Sequence, residues 1–208
     1  ANCSNRGQWP GAQVCECLGL PGGQGASQAR VEPASSETPE RILLLFVDGL
    51  GLPPEALEES VYADFPALFS LLADQCKPIS ASLGVPGTPQ SATGQTAIFT
   101  GINAAKVMGR HVEGFPPAPL RDKVESEGLF QKLLRIGCRC TFANAYATLP
   151  GPTVPMPYRS VTTVMTLDAF GVTRDREALL EGEAVYHDLT RRTLRERGVT
   201  GVPLITEA

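Results

Sequence analysis

The chain has 208 residues, of which 42% are hydrophobic and 19% are charged, the balance of an ordinary soluble globular protein. Its formal net charge of −4 argues against a nucleic-acid partner or an anionic membrane surface. The longest apolar run, residues 42–47, is far too short to cross a bilayer, so no membrane partner is expected. The length allows one good core, with or without a tail.

The first 39 residues differ in composition from the rest of the chain. Gly, Pro, Ser and Gln dominate there, and apolar residues such as Trp9 and Val14 follow no helical or strand period. Such a segment buries too little apolar surface to offset its ordering entropy. We therefore predict that residues 1–39 form a disordered or loosely attached extension, although three cysteines argue against complete disorder, and that residues 40–208 form the domain.

Order is predicted to begin with a strand at residues 42–47, whose uninterrupted apolar run is typical of a strand covered on both faces. Asp48 and a glycine end this strand. A helix is expected from Asp64, which is suited to cap it, with Pro66 in the first turn. A short strand is expected at residues 78–83.

The most informative stretch is residues 87–101. A Gly/Pro-rich turn leads into Ser91, and an apolar segment closed by Gly101 follows, which predicts a loop and then a short helix. Unpaired N–H groups and the positive end of the dipole favour an anion at a helix N-terminus. Ser91 is placed to use that field, or simply to cap the helix. Pro89 and Thr93 stand where a nucleophile elbow requires glycine.

The rest of the chain is predicted to alternate helices and strands. In order, the pattern indicates an irregular segment (102–123), a helix capped by Ser126 and stopped by Gly137, a strand (138–143), a helix (160–170) and an amphipathic helix (183–197). This alternation predicts an α/β fold with a largely parallel sheet.

Six cysteines are present, and two pairs of them have the C-x-C spacing rather than the wider spacing of most zinc sites. We interpret Cys138 and Cys140 as strand residues kept reduced in the cytoplasm. The predicted location is therefore cytoplasmic.

In open α/β sheets, ligands bind beyond the carboxyl ends of the strands. Asp48 ends the first predicted strand, and Ser91 would lie on the same edge of the sheet. A carboxylate and a serine oxygen at that edge could share one metal ion, which would activate the serine as a nucleophile. An aspartate before glycine is also common in turns that have no such role.

The segments Phe46–Gly51 (FVDGLG) and Ser91–Ala97 (SATGQTA) together resemble the alkaline phosphatase superfamily, and more narrowly its branch with cofactor-independent phosphoglycerate mutase and phosphopentomutase. The resemblance covers about residues 40–208 and corresponds to the N-terminal part of that family. It implies an α/β/α sandwich with a largely parallel sheet, C-terminally incomplete here. It also implies two divalent metal ions, Zn or Mn, in the complete enzyme, a small phosphorylated substrate and a phospho-serine intermediate.

By this resemblance Ser91 is the catalytic nucleophile, and Asp48 and Ser91 are ligands of one metal ion. The family's remaining metal ligands lie in its C-terminal half, which has no counterpart here, and Gln95 replaces the family's histidine. We therefore expect a metal-dependent phosphatase or phosphomutase that is inactive as this chain. The alternative is a non-catalytic fragment or pseudoenzyme that retains half of the fold.

Two residues of the predicted irregular segment are candidates for substrate binding. Arg110 and His111 follow the nucleophile along the chain, where a guanidinium could grip a phosphate. A solvated loop without a binding role is the competing interpretation. His187, within the last predicted helix, is interpreted as structural.

Overall fold

The computed structural model describes residues 13–16, 41–51 and 60–205. The chain forms two compact units, residues 1–81 and 82–208, and the described part is mostly helical. Apart from residues 13–16, the predicted extension lies outside the described residues, so its boundary at residue 39 stays a prediction. In the part of the chain that the structure describes, no helix has both the length and the apolar character that a membrane span requires.

In the first unit, strand β1 (Gln13–Glu16) pairs antiparallel with strand β2 (Lys77–Ser80), which corresponds to the strand predicted at residues 78–83. Helix α1 (Pro66–Gln75) lies at the predicted place. Its N-cap position, however, is occupied by Phe65 and carries no side-chain cap, so the prediction that Asp64 caps this helix is wrong. Asp64 instead ends a short 3-10 turn before the helix.

The strand predicted at residues 42–47 is not present. These residues have no regular secondary structure, and Ile42 and Leu43 are 79% and 83% exposed. A strand needs a ladder of backbone hydrogen bonds with a neighbouring strand, and this segment pairs with no strand among the described residues. An apolar run supplies side chains suited to a buried strand but not the neighbouring strand, which is why the prediction from sequence was wrong here.

The second unit contains the remaining helices of the described part. They are α2 (Ser91–Thr100), α3 (Ala104–Met108), α4 (Ala118–Glu127), α5 (Leu129–Arg135), α6 (Val161–Phe170), α7 (Arg176–Leu180) and α8 (Arg192–Glu196). Helices α2 and α6 agree with the predicted ones, and each ends at a glycine in the left-handed conformation, Gly101 and Gly171.

The segment predicted as irregular, residues 102–123, is partly helical, since it contains α3 and the start of α4. Its prolines precede α4 or lie in the first turn, as Pro119 does, where the missing N–H has no cost. Ser126 does not cap a helix. It lies near the end of α4, where its hydroxyl donates to the carbonyl oxygen of Asp122 at 2.8 Å, and α5 begins after Gly128.

The amphipathic helix predicted at residues 183–197 is mostly wrong, because only Arg192–Glu196 is helical there. The Asp188 carboxylate accepts hydrogen bonds from the backbone N–H groups of Arg191 and Thr193, each at 2.7 Å. An aspartate that bonds nearby backbone groups in this way competes with helix formation.

Among the described residues of the second unit, parallel pairing is limited to two isolated bridges. Asn144 pairs with Val185, and Ala145 pairs with Arg174. The strand predicted at residues 138–143 is therefore not present, and pairing begins one residue beyond it. The described part is thus an α-rich structure with little sheet.

Two clusters of buried apolar residues hold the second unit together. The first joins the start of α2 to α3 and α4 through Ala92, Ala104, Val112 and Leu120. The second surrounds the parallel bridges and is formed by Ala145, Leu179, Ala184, Tyr186 and Leu194. Each cluster lies beside one of the two groups of polar residues described next.

Candidate functional site

Ser91 is the first residue of α2. The N-cap position belongs to Gln90, and the helix has no side-chain cap, so the interpretation of Ser91 as a capping residue is wrong. Ser91 is partly buried, and its hydroxyl makes no hydrogen bond within the described residues. It is therefore a hydroxyl at the positive end of a helix that is not committed to a structural contact.

Thr93 carries the other hydroxyl group of this turn, and it differs from Ser91 in burial and hydrogen bonding. It is fully buried, and its hydroxyl donates to the carbonyl oxygen of Gln90 at 3.2 Å. The same oxygen accepts a hydrogen bond from the backbone N–H of Val112 at 3.3 Å. Thr93 is thus a structural residue, whereas Ser91 remains accessible.

The segment after α3 runs beside the first turn of α2. The carbonyl oxygen of Val112 accepts a hydrogen bond from the backbone N–H of Ala92 at 3.1 Å, next to the bond that joins Val112 to Thr93. Because Val112 directly follows Arg110 and His111, both predicted substrate-binding residues belong to a segment held at the helix start that carries Ser91.

The two residues differ in their surroundings. His111 places Nε2 3.2 Å from the carbonyl oxygen of Val85, and its ring lies 3.6 Å from where a side chain at Gly87 would begin. Its Nδ1 atom is buried and has no hydrogen-bond partner in the described part of the chain. Arg110 is exposed. His111 therefore packs against the loop that leads to Ser91, and Arg110 is the residue that solvent reaches.

Asp48 is an exposed turn residue of the first unit, whereas Ser91 belongs to the second. A metal ion shared by these two side chains therefore stays a prediction. Within residues 13–16, 41–51 and 60–205, no three His, Cys, Asp or Glu side chains are grouped as a metal centre requires. The described residues do not by themselves fit the two-metal centre that the resemblance implies.

The cysteines whose side chains the structure describes are in two chemical states. Cys76 is disulfide-bonded, whereas Cys138 and Cys140 are free thiols. Burial, and then the neighbouring Cys138 thiol, raises the pKa of Cys140 above its ordinary value. The Cys140 thiol is therefore less reactive than an ordinary one at neutral pH.

A second group of polar residues lines an open surface pocket of about 220 Å³, called the cavity below, beside the two parallel bridges. The backbone N–H of Ala145 donates to Val185 and that of Tyr146 donates to Arg174, both at 2.8 Å. The cavity is lined by Phe142, Asn144, Ala145, Tyr146, Ala147, Thr148, Leu149, Thr162, Tyr186, His187 and Arg197. It thus includes the residues that follow the bridges at their carboxyl ends, where α/β folds bind ligands.

A chain of hydroxyl groups behind the lining connects two residues of the cavity, Tyr146 and Thr162. The Tyr146 hydroxyl lies 2.6 Å from that of Thr163, which lies 2.8 Å from the hydroxyl of Ser160, the N-cap of α6. The Ser160 hydroxyl is 3.1 Å from that of Thr162. Burial raises the pKa of Tyr146, although these hydrogen bonds oppose the shift. Tyr146 therefore stays a neutral phenol at physiological pH.

The lining also includes His187 and Arg197, which the sequence did not identify as site residues. His187 is exposed, and its ring centroid lies 4.2 Å from that of Tyr186. His187 lies in a loop that the sequence analysis assigns to a helix over residues 183–197, and it is therefore interpreted there as structural. The available signal was residues 144–149, which follow a predicted strand at its carboxyl end.

No family model, no curated protein and no solved structure matches this chain. Functional inference therefore depends on the geometry of two places in the second unit. The first is the start of α2 with Ser91, and the second is the cavity beside α6.

Proposed function

We propose that this chain carries the serine nucleophile of a metal-dependent phosphoryl-transfer enzyme, of the phosphatase or phosphomutase type, that acts on a small phosphorylated substrate. The observation that carries the proposal is the contrast in the first turn of α2. The Ser91 hydroxyl is accessible and makes no hydrogen bond in the described region, whereas the Thr93 hydroxyl is buried and doubly bonded.

In the proposed reaction, the Ser91 oxygen forms a bond to phosphorus while the bond between phosphorus and the substrate's alcohol oxygen breaks. The alcohol leaves with a proton, and the phosphoryl group stays on Ser91 until water or a second alcohol accepts it. The helix supports an anion there, because its first N–H groups have no partner within the helix. Arg110, exposed on the neighbouring segment, and His111, half-buried beside the loop before Ser91, are the proposed contacts to the phosphate.

The proposal extends to the complete enzyme. There we infer an α/β/α sandwich with a largely parallel sheet, and two Zn or Mn ions with Asp48 and Ser91 as ligands of one of them. We assign no step to a metal here, because the described residues group no three metal ligands. The resemblance assigns the remaining metal ligands to a C-terminal half with no counterpart in this chain, and on that ground we propose that the present chain alone is inactive. The alternative remains a non-catalytic fragment or pseudoenzyme.

The proposal is tested by trapping the phosphoenzyme in the full-length gene product that contains this chain. The protein is incubated with a ³²P-labelled aryl phosphate and Zn or Mn, quenched in acid and mapped by peptide digestion. Label is expected on Ser91, absent in Ser91→Ala and retained in Thr88→Ala, which removes an exposed hydroxyl three residues earlier. Label on Thr93, or full activity in Ser91→Ala, would refute the assignment. A full-length protein that takes up no label favours the pseudoenzyme.

We also propose a cytoplasmic location, which the free thiols Cys138 and Cys140 support. The disulfide at Cys76 is a feature of oxidising compartments and opposes it. Alkylation of intact cells, followed by mass mapping, decides between the two, because a cytoplasmic location requires Cys76 to be reduced and alkylated in the cell. An oxidised Cys76 in that experiment would exclude the cytoplasm.

A further inference from the structure

We propose that the cavity beside α6 binds a small organic anion with a flat, apolar ring, and that Arg197 supplies the charge that selects it. This site is separate from the proposed chemistry at Ser91, and neither proposal depends on the other. The inference follows from the charge, shape and hydrogen-bonding groups of the cavity lining.

The charge of the lining has one sign. Arg197 carries a permanent positive charge, and no Asp or Glu is among the residues that line the cavity. Within the described part of the second unit, the Arg197 side chain makes no hydrogen bond and no ion pair. The nearby Asp188 carboxylate is already occupied by Thr193 and by the backbone N–H of Arg191. Arg197 is exposed, so water solvates its guanidinium when the cavity is empty. An anion in the cavity could replace that water, because a guanidinium binds carboxylate or phosphate through two parallel hydrogen bonds.

The shape and polarity of the lining indicate the rest of the ligand. Aromatic rings contribute much of the wall, from Phe142, Tyr146, Tyr186 and His187, and such rings pack well against another flat ring. Pockets for drug-sized molecules span about 300 to 1,000 Å³. A cavity of about 220 Å³ therefore suits a molecule with a single ring.

Neutral hydrogen-bonding groups complete the lining. Asn144 and Thr162 both line the cavity, and Thr162 lies in the first turn of α6, a ten-residue helix. Their amide and hydroxyl groups can donate to an anion without adding charge. The arrangement of one cation, two neutral donors and an apolar wall is that of a small-molecule site, in which a few polar groups fix the orientation of a largely apolar ligand.

The test is isothermal titration of the full chain with benzoate and with phenyl phosphate, at low salt. Both anions carry one flat ring, and the tighter one identifies a carboxylate or a phosphate as the preferred group. Benzyl alcohol, which has the ring without the charge, serves as the neutral ligand. Both anions are expected to bind at least about tenfold more tightly than benzyl alcohol, in line with the strength of charge-assisted hydrogen bonds.

Two arginine variants localise the binding. Arg197→Gln is expected to weaken the binding of both anions by about tenfold or more and to leave benzyl alcohol unchanged. Arg195→Gln is the matched control, because Arg195 is also exposed and lies two residues away but does not line the cavity. The Arg195→Gln variant should bind both anions as tightly as the unmodified chain does. The affinity of Arg197→Lys should lie between those of the unmodified chain and Arg197→Gln, because lysine keeps the positive charge but loses the planar guanidinium that forms two parallel hydrogen bonds.

Several results would overturn the proposal. One is that neither anion binds at millimolar concentration. Another is that benzyl alcohol binds as tightly as the anions, and a third is that Arg197→Gln and Arg195→Gln lose the same amount of anion affinity. Because Arg197 is exposed, its substitution is not expected to unfold the chain, and unchanged circular dichroism of the variant checks this point.

Discussion

The side-chain oxygen of Thr93 lies 3.3 Å from the backbone nitrogen of Val112 and accepts its hydrogen bond. This contact joins the first turn of α2 to the segment that carries Arg110 and His111. The two hydroxyl groups of that turn also have different roles. Thr93 is fully buried and structural, whereas Ser91 is only partly buried.

A pair of substitutions tests this separation through stability alone. Thr93→Val keeps the shape of the side chain but leaves the Val112 N–H without its partner, so we expect a loss of about 1 to 3 kcal/mol in the free energy of unfolding. Ser91→Ala removes a hydroxyl with no hydrogen bond among the described residues, and its effect should stay within about 0.5 kcal/mol. Urea denaturation measures both. Equal losses in the two variants would contradict the assigned roles.

The C-terminal end of α2 gives a second prediction. The Lys132 ammonium donates to the carbonyl oxygen of Thr100 at 2.7 Å and lies 3.5 Å from a Glu127 carboxylate oxygen. Because a cation at a helix C-terminus is stabilising, Lys132→Met is expected to cost about 1 kcal/mol. Glu127→Gln removes only the ion pair, whose partners are each 44% exposed, and should cost less than about 0.5 kcal/mol. A larger loss in Glu127→Gln, measured by thermal unfolding, would assign the stabilisation to the ion pair instead.

Two glycines are expected to respond in opposite directions to substitution by alanine. A Cβ atom at Gly128 would lie 2.5 Å from the carbonyl oxygen of Val124 and overlap the Gln131 side chain, so Gly128→Ala should destabilise by about 1 to 3 kcal/mol. Gly94 lies inside α2 with no atom within 4 Å of such a Cβ, so Gly94→Ala should stabilise by about 0.5 to 1 kcal/mol. Denaturant midpoints compare the two variants, and a stabilising Gly128→Ala would show that the close approach is relaxed in solution.

The loop before α8 should depend on pH through Asp188. Desolvation by itself would raise the pKa of this carboxyl, but hydrogen bonds from Thr193 and from the Arg191 backbone, together with nearby His187, hold the pKa below its ordinary value of 3.8. Since the folded-state pKa is the lower one, the carboxylate's contribution to stability is present above pH 3.8 and is lost as the pH falls through the folded-state pKa.

We therefore expect Asp188→Asn to be less stable than the unmodified chain at pH 7, by about 1 kcal/mol, because asparagine keeps one acceptor oxygen but loses the charge and the second acceptor. The difference should shrink as the pH falls below about 4. Chemical denaturation at a series of pH values measures it, with Asp175→Asn as the comparison, because asparagine can still cap α7 at that position. A difference between Asp188→Asn and the unmodified chain that is constant down to pH 2 would contradict this role of the carboxylate.

The sequence by itself determined the features that depend on nearby residues. The helix over 91–100 follows from a Gly/Pro-rich turn, a short apolar segment and Gly101. The helix predicted at 160–170 is present over 161–170, with Ser160 as its N-cap and Gly171 at its end. Helix propensity, capping and glycine's access to positive φ all act within one or two turns. Local signals of this kind therefore sufficed for these elements and for the position of Ser91 at a helix start.

Only the tertiary structure decided the features that depend on distant partners. The apolar run 42–47 becomes a strand only if another strand supplies its hydrogen bonds. Residues 183–191 are not helical, and the backbone contacts of Asp188 that compete with a helix there cannot be recognised from the apolar periodicity. The cavity combines residues 142, 144–149, 162, 186–187 and 197, which are up to 55 positions apart (197 − 142). Burial and hydrogen-bond pairing at such separations are set by the packing of the whole unit, because the free energy of each contact depends on neighbours that the local sequence does not contain.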